Sequence, residues 1–463
     1  MHKRAYYKRQ NAMQQITHAM QAEQGGLAAV ASAKQCTNMT IPVDIEARQG
    51  MFNVPNITTD QDVTQFFQNY SSIMGGTNYT AEVLTGYQTV TGTYNISAKF
   101  CTPDVMNSTK PVVQVLTHGI GFDKTYWDIP YNNFNYSYEN IATESGYCTL
   151  AIDRFGIGNS SHADPYQIVQ APAEVGALYQ INSMLRNGTL PGVNMTFGTG
   201  QIVNVGHSFG SQQSYMLALM YPEVTDALVL TGFSFNGSFA DLSLFHPKVA
   251  RLNQPLRFGS PSNLSALQSL YNTPSANLTT TESFLTQLVT LAGLNSSDIT
   301  DLLSASTLGD LIAGYNSTGL GSPQDLPPAY ITWADASANQ FNFLYPAGLD
   351  PAMISYSEST KQPFTIGEVL TLGGAPSMTS FTGPVHVVTG REDAIYCGGD
   401  CLATGLNNVT SIPESVGMYF PQSSNFSVSI PEAMGHGISV HYGAKAAYQE
   451  VQQYLMGVGI VSS

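Results

Sequence analysis

The sequence predicts an α/β protein, with a mostly parallel central sheet, helices on both faces and one inserted, mainly helical cap. Three observations carry this. Apolar runs near 112–117, 148–153, 202–206 and 226–231 are short and rich in Val, Ile and Leu, as strands buried on both faces are. Helical patterns alternate with them, the clearest placing Val175, Leu178, Ile181 and Leu185 on one face. The strand rhythm then stops after Thr231-Gly232-Phe233 and resumes only at Val385, an interval too long for a loop. Strands alternating with helices give right-handed crossovers, and ligands bind at the carboxyl ends of the strands.

In chain order, residues 1–33 read as a degenerate signal or leader segment. Met1-His2-Lys3-Arg4 to Lys8-Arg9 is basic and Ala31-Ser32-Ala33 resembles a cleavage site, but Gln21, Glu23 and Gln24 interrupt the apolar stretch between them. Residues 34–80 are expected to form an N-terminal arm with a helical stretch around Thr59 to Asn69. Core residues 81–234 begin with a β-branched, aromatic segment, 86–100, that suggests one or two antiparallel edge strands. The cap is read as 235–380, with helices expected over Thr281 to Leu291, Asp298 to Leu303 and Leu308 to Ile312; the core returns as 381–463, ending in a helix that turns Tyr448, Val451 and Leu455 to the sheet.

Of 463 residues 43% are hydrophobic, ample for a core. The formal net charge of -15 reflects scarce Lys and Arg (17, against 32 acids), which argues against a nucleic-acid partner. No apolar run reaches the roughly 18 residues of a membrane span. Asn-x-Ser/Thr sequons number 17 among 29 Asn, from Asn38 to Asn425; random placement gives roughly one in five. N-glycans and a secreted, extracellular location are therefore expected. Five cysteines fit an oxidising compartment with one thiol left over. Cys397-Gly-Gly-Asp-Cys401 closes a small loop, Cys36 then pairs with Cys101, and Cys148, in the apolar run Cys148-Thr149-Leu150-Ala151-Ile152, is a buried free thiol. C-x-x-x-C lacks further ligands nearby, so no metal is expected.

Gly206-His207-Ser208-Phe209-Gly210 follows the run Ile202-Val203-Asn204-Val205 and precedes a helical pattern. A G-x-S-x-G turn between strand and helix holds its Ser strained and exposed above a sheet, as a nucleophile elbow. Alone the pattern is weak; context strengthens it. Val112 to Leu116 runs into Thr117-His118-Gly119-Ile120-Gly121, Pro384 to Thr389 into Gly390-Arg391-Glu392-Asp393, and Phe426-x-Val428-x-Ile430 into Gly435-His436-Gly437. Three candidates at three strand ends point to Ser208 as nucleophile, Asp393 as acid and His436 as base. Glu392 and Asp400 lie close to Asp393, but the G-x-x-D spacing selects Asp393; His441 is read as the start of the last helix.

These motifs, with Asp153-Arg154-Phe155-Gly156-Ile157-Gly158-Asn159-Ser160, resemble the α/β-hydrolase superfamily, and within it a branch of secreted fungal serine hydrolases. The resemblance runs from about Gly86 to the C-terminus. It implies the chain order Ser208, Asp393, His436 and an oxyanion hole of the Phe209 and Ile120 N–H groups, with Gly121 as substitute. No metal or organic cofactor is required. The expected pocket takes in His118, His207, Trp333 and Phe343, although the two histidines also fit structural hydrogen bonds. Tyr330, Trp333, Phe341, Phe343 and Tyr345 serve equally as pocket walls or as the cap's own core. The leading function is hydrolysis of small to medium apolar carboxylic esters or lactones. Amide or peptide hydrolysis needs an acidic group for the substrate amine, and a binding role without catalysis leaves the three residues unexplained.

Overall fold

The computed structural model describes residues 34–71, 78–106, 108–239, 246–260, 323–373, 376–405 and 408–462. The expected segment 1–33 and the three cap helices between 281 and 312 lie outside them. Eleven strands are present among the described residues. They are β1 (Lys34–Phe52), β2 (Leu84–Pro103), β3 (Val113–Thr117), β4 (Cys148–Ile152), β5 (Ile202–His207), β6 (Ala227–Thr231), β7 (Pro247–Val249), β8 (Tyr330–Trp333), β9 (Phe364–Thr365), β10 (Val385–Val388) and β11 (Phe426–Ser429).

Eight of them form one sheet in the order β1-β2-β4-β3-β5-β6-β10-β11. From β4 to β11 every pairing is parallel, while β2 is antiparallel to β4. Every residue of β3, β4, β5, β6 and β10 is buried, which explains their unbroken apolar runs. This is the α/β-hydrolase fold. Helix α1 (Asp60–Tyr70), α2 (Ala171–Asn187), α3 (Phe209–Met220) and the C-terminal α6 (Ala444–Gly457) pack around it, with α4 (Ala336–Phe343) and α5 (Ile366–Leu372) in the insertion.

The residues 34–52 correct the expected arm. They are a sheet strand, in which Ile41, Val43, Ile45 and Ala47 face inward and every second residue faces out. Contacts run in opposite senses along β1 and β2, from the Cys36–Cys101 disulfide through Thr93 Oγ1 to Asp44 Oδ1 at 2.6 Å to Thr85 Oγ1 and Met51 O at 3.0 Å, so the pair is antiparallel. The inward face joins Val175, Leu178, Ile181 and Leu185 of α2 in one core cluster; each such aliphatic side chain contributes about 1.5–3 kcal/mol by leaving water. Helix α1 starts at Thr59, whose hydroxyl and the Asp62 carboxylate form a reciprocal capping box.

Within the insertion, β7, β8 and β9 form a three-stranded sheet, antiparallel at both pairings. Tyr330 and Trp333 therefore stand on a strand, β8. Cys397 pairs with Cys401, and Cys148 is free and buried; burial pushes its thiol up to about 12, so it is no nucleophile. No helix among the described residues is long and apolar enough to cross a membrane.

Candidate active site

β5 ends at His207 and α3 begins at Phe209, leaving Ser208 in the turn with φ 54° and ψ -118°. A non-glycine residue at positive φ is strained, and such strain persists only where the surroundings impose it. Here Ser208 N donates to Thr231 O at 2.8 Å, and Ser211 Oγ donates to the same carbonyl at 2.8 Å. The helix start also lies against the end of β3: a Cβ added at Gly210 would fall 2.1 Å from Thr117 O, so only glycine fits. Phe209 is the first residue of α3, and its N–H has no partner within the helix. The positive end of the helix dipole is aimed at the same place.

The His-Gly turn after β3 packs on this elbow so closely that a Cβ on Gly119 would fall 2.8 Å from Ser208 Cβ. His118 holds the turn. Its Nε2 accepts from Arg154 N at 3.0 Å, which makes Nδ1 the protonated nitrogen that donates to Gly119 O at 2.8 Å. His118 is fully buried and does not line the cavity at Ser208, so the pocket role expected of it is corrected to a structural one. Burial and the neighbouring Arg154 hold it well below the usual histidine range.

His207 is corrected likewise. Its ring is buried, stacked on Tyr126 at 4.4 Å and 4.9 Å from the ring of His436, and does not reach the cavity. Thr231 Oγ1 donates to Gly206 O, so it accepts from His207 Nδ1 at 3.3 Å.

Asp393 caps the short helix Ala394–Cys397: its Oδ1 accepts from Ile395 N at 2.8 Å and Tyr396 N at 2.9 Å. Its other oxygen, Oδ2, lies 2.8 Å from His436 Nδ1, and both side chains are fully buried. With a carboxylate oxygen facing it, Nδ1 is the nitrogen that donates. Among the described residues His436 Nε2 has no hydrogen-bond partner.

The competitors have other partners. Asp400 pairs with Arg391, and Glu392 Oε2 accepts from Met434 N at 3.1 Å. His441 precedes the last helix; its Nδ1 donates to Gly437 O and its Nε2 accepts from Gly435 N and Tyr345 N. That tautomer is neutral, as burial, which lowers its pKa to about 4, requires.

Above Ser208 lies a cavity of about 440 Å³. Ile120, Phe209, Trp333 and Phe343 line it, together with Tyr215, Phe233, Phe235 and Tyr396, which sequence reading did not single out. Tyr396 had a signal, since it stands three residues after the capping Asp393, one turn of helix away. Among the described residues no charged side chain lines this cavity. Gly121 is not in its wall: a Cβ there would meet Trp333 Nε1 at 2.6 Å, and its carbonyl accepts from Gln362 N at 2.9 Å. Of the two alternatives, Ile120 is the one at the cavity. Tyr330 packs in the insertion's own small core, and Phe341 is 55% exposed.

A buried ion network lies beneath the elbow. Arg154 Nη1 binds Glu174 of α2 at 2.6 Å and also Glu368 of α5, Gln213 of α3 donates to Glu174 at 2.8 Å, and the guanidinium sits 4.9 Å over the Phe209 ring. Burial drives Glu174 well above the usual carboxyl range, against the pull of Arg154. The network couples insertion, elbow helix and core.

A strained serine between strand and helix, and a buried acid–histidine pair at two further strand ends, thus stand at the carboxyl edge of one mostly parallel sheet. A profile of the Alpha/beta hydrolase family matches residues 114–394, more than half of the chain, and the protein belongs to that family. No curated protein matches it. Solved structures similar to it include an esterase from Thermogutta terrifontis, 14% identical with a TM-score of 0.38, covering 79% of this chain and 95% of that one. An epoxide hydrolase from Vigna radiata is 15% identical, TM-score 0.37, over 79% and 93%. Epoxide hydrolase A from Mycobacterium thermoresistibile is 15% identical, TM-score 0.38, over 79% and 95%.

Proposed function

We propose that the protein is a secreted serine hydrolase that cleaves carboxylic esters or lactones of small to medium apolar molecules. The observation that carries this is the buried Asp393–His436 pair at 2.8 Å, which leaves Nε2 without a partner among the described residues. Ser208 Oγ attacks the carbonyl carbon and gives its proton to His436 Nε2, while the N–H groups of Phe209 and Ile120 receive the oxyanion. His436 returns the proton to the leaving oxygen, and a water then releases the acyl group by the same steps in reverse. Asp393 keeps Nδ1 protonated throughout. A Ser at the elbow speaks against the carboxylate nucleophile of epoxide and haloalkane chemistry. The residues 235–380 act as a cap that selects substrate, and its uncharged aromatic wall favours apolar acyl groups.

Secretion is supported by two disulfides and by the sequons. Of the 12 sequon asparagines among the described residues none is buried, whereas Asn182, Asn204, Asn339 and Asn342, all outside sequons, are. A fluorophosphonate probe should label Ser208, and Ser208→Ala should lose both the label and ester turnover by about a millionfold. Retention of a tenth of wild-type turnover refutes the assignment.

A further inference from the structure

Beside the Ser208 cavity there is a second, of about 340 Å³, whose lining includes His436. Phe343 belongs to both linings. Ser208 lines only the first and His436 only the second. Where the linings meet, residues 343–345 are held to the turn that carries His436: Gly437 N donates to Phe343 O at 2.8 Å, Tyr345 N donates to His441 Nε2 at 2.8 Å, and the Phe343 ring lies 5.9 Å from that of His436. His436 is fully buried, and among the described residues its Nε2 has no hydrogen-bond partner.

The two cavities differ in chemistry. The first is lined mostly by aromatic and aliphatic side chains, with Gln212, Ser234 and Thr371 among them, and carries no charge among the described residues. The second is lined by Ser337, Gln340 and the half-buried carboxylate of Glu392 beside Phe341 and Tyr345, and among the described residues no Lys or Arg lines it.

In acyl transfer the nucleophile keeps the acyl carbon while the base returns its proton to the leaving oxygen. The acyl group therefore stays with Ser208, and the leaving group lies on the side of His436. From this, and resting on the serine-hydrolase reading above, we infer that the substrate is an ester sorted by polarity. Its apolar acyl half occupies the aromatic cavity. Its alcohol half, in the second cavity, is a hydrogen-bonding alcohol that is neutral or cationic and not anionic. Ser337 and Gln340 supply partners to a hydroxylated alcohol. Glu392 attracts a cationic alcohol, the rings of Phe341 and Tyr345 add to that attraction, and an anionic alcohol meets a like charge in the lining.

The test uses four butyryl esters that share one acyl group and differ in alcohol: n-butanol, ethylene glycol, choline and glycolate. kcat/KM is measured for wild type, Glu392→Gln and Gln340→Leu. Ratios within one enzyme cancel any general damage to the fold, and comparison between enzymes cancels the intrinsic reactivity of each ester. Glu392→Gln is expected to lower the choline-to-glycolate ratio about tenfold and to leave the glycol-to-butyl ratio in place. Gln340→Leu is expected to lower the glycol-to-butyl ratio several-fold. Ratios that do not move in either variant overturn the inference while leaving the hydrolase standing. Failure of the wild type to cleave any of the four, together with no fluorophosphonate label at Ser208, overturns the underlying reading instead.

Discussion

Asp393→Asn separates the two tasks of one carboxylate. In the variant the amide oxygen can still accept from Ile395 N and Tyr396 N, which Oδ1 does at 2.8 and 2.9 Å, so the cap of the short helix survives. The amide nitrogen then faces His436 Nδ1 in place of Oδ2, at a separation of 2.8 Å. An amide donor there forces the proton onto Nε2, and the imidazole can no longer accept from Ser208. Loss of the useful tautomer costs a factor of about 10⁴ in kcat, or about 5.4 kcal/mol of barrier. Asp393→Ala loses the cap as well, a further cost in stability of about 0.5–2 kcal/mol. The expected outcome is that both variants hydrolyse a p-nitrophenyl ester about 10⁴-fold more slowly, across acyl chain lengths alike, while only the Ala variant melts earlier. An Asn variant that keeps more than a tenth of wild-type kcat, or that melts as early as the Ala variant, refutes the reasoning.

Trp333→Ala and Phe343→Ala should reorder preference among acyl chain lengths, by roughly 1–3 kcal/mol per methylene, because both side chains line the Ser208 cavity; kcat/KM over a chain-length series that falls by one common factor counts against this. Gly210→Ala should yield little folded enzyme, since its Cβ would stand 2.1 Å from Thr117 O, and thermal melting of whatever is soluble is the check. Burial lowers the pKa of His386, 3% exposed, to about 4 from an unfolded value of about 6.5. The unfolded chain then binds a proton that the folded one refuses, so this contribution is complete above about pH 6.5 and is lost as pH falls toward 4. Urea unfolding should show wild type losing up to about 3 kcal/mol more than His386→Gln over that window; parallel pH curves would contradict it.

Much of the sheet was legible because its strands are buried on both faces, and a five-residue run such as Val113–Thr117 has no solvent face to break the apolar pattern. β1 is harder to read, although Ile41, Val43, Ile45 and Ala47 alternate visibly. Its outer face carries Thr, Glu and Arg in the company of a sequon, and that polar half reads as an arm. Both disulfide pairs were legible from counting, since one short loop left a single remaining pair and a thiol inside a strand run.

Ser208, Asp393 and His436 could be nominated from sequence because each sits in a Gly-punctuated turn at a strand end, and the chemistry of an elbow needs those residue types. The sequence by itself determined the fold class, the three strand ends and the scarcity of charge. Only the tertiary structure decided which histidines turn inward as scaffold. His118 and His207 flank the same turns as the candidates, and their roles follow from partners 36 and 24 residues away. It likewise decided the charge network that joins Arg154 to Glu368 across 214 residues, and which side chains line the cavities at Ser208 and at His436. Periodicity reports which face of an element is buried; which distant side chain meets that face depends on crossovers and register, and these are set by packing of the whole chain.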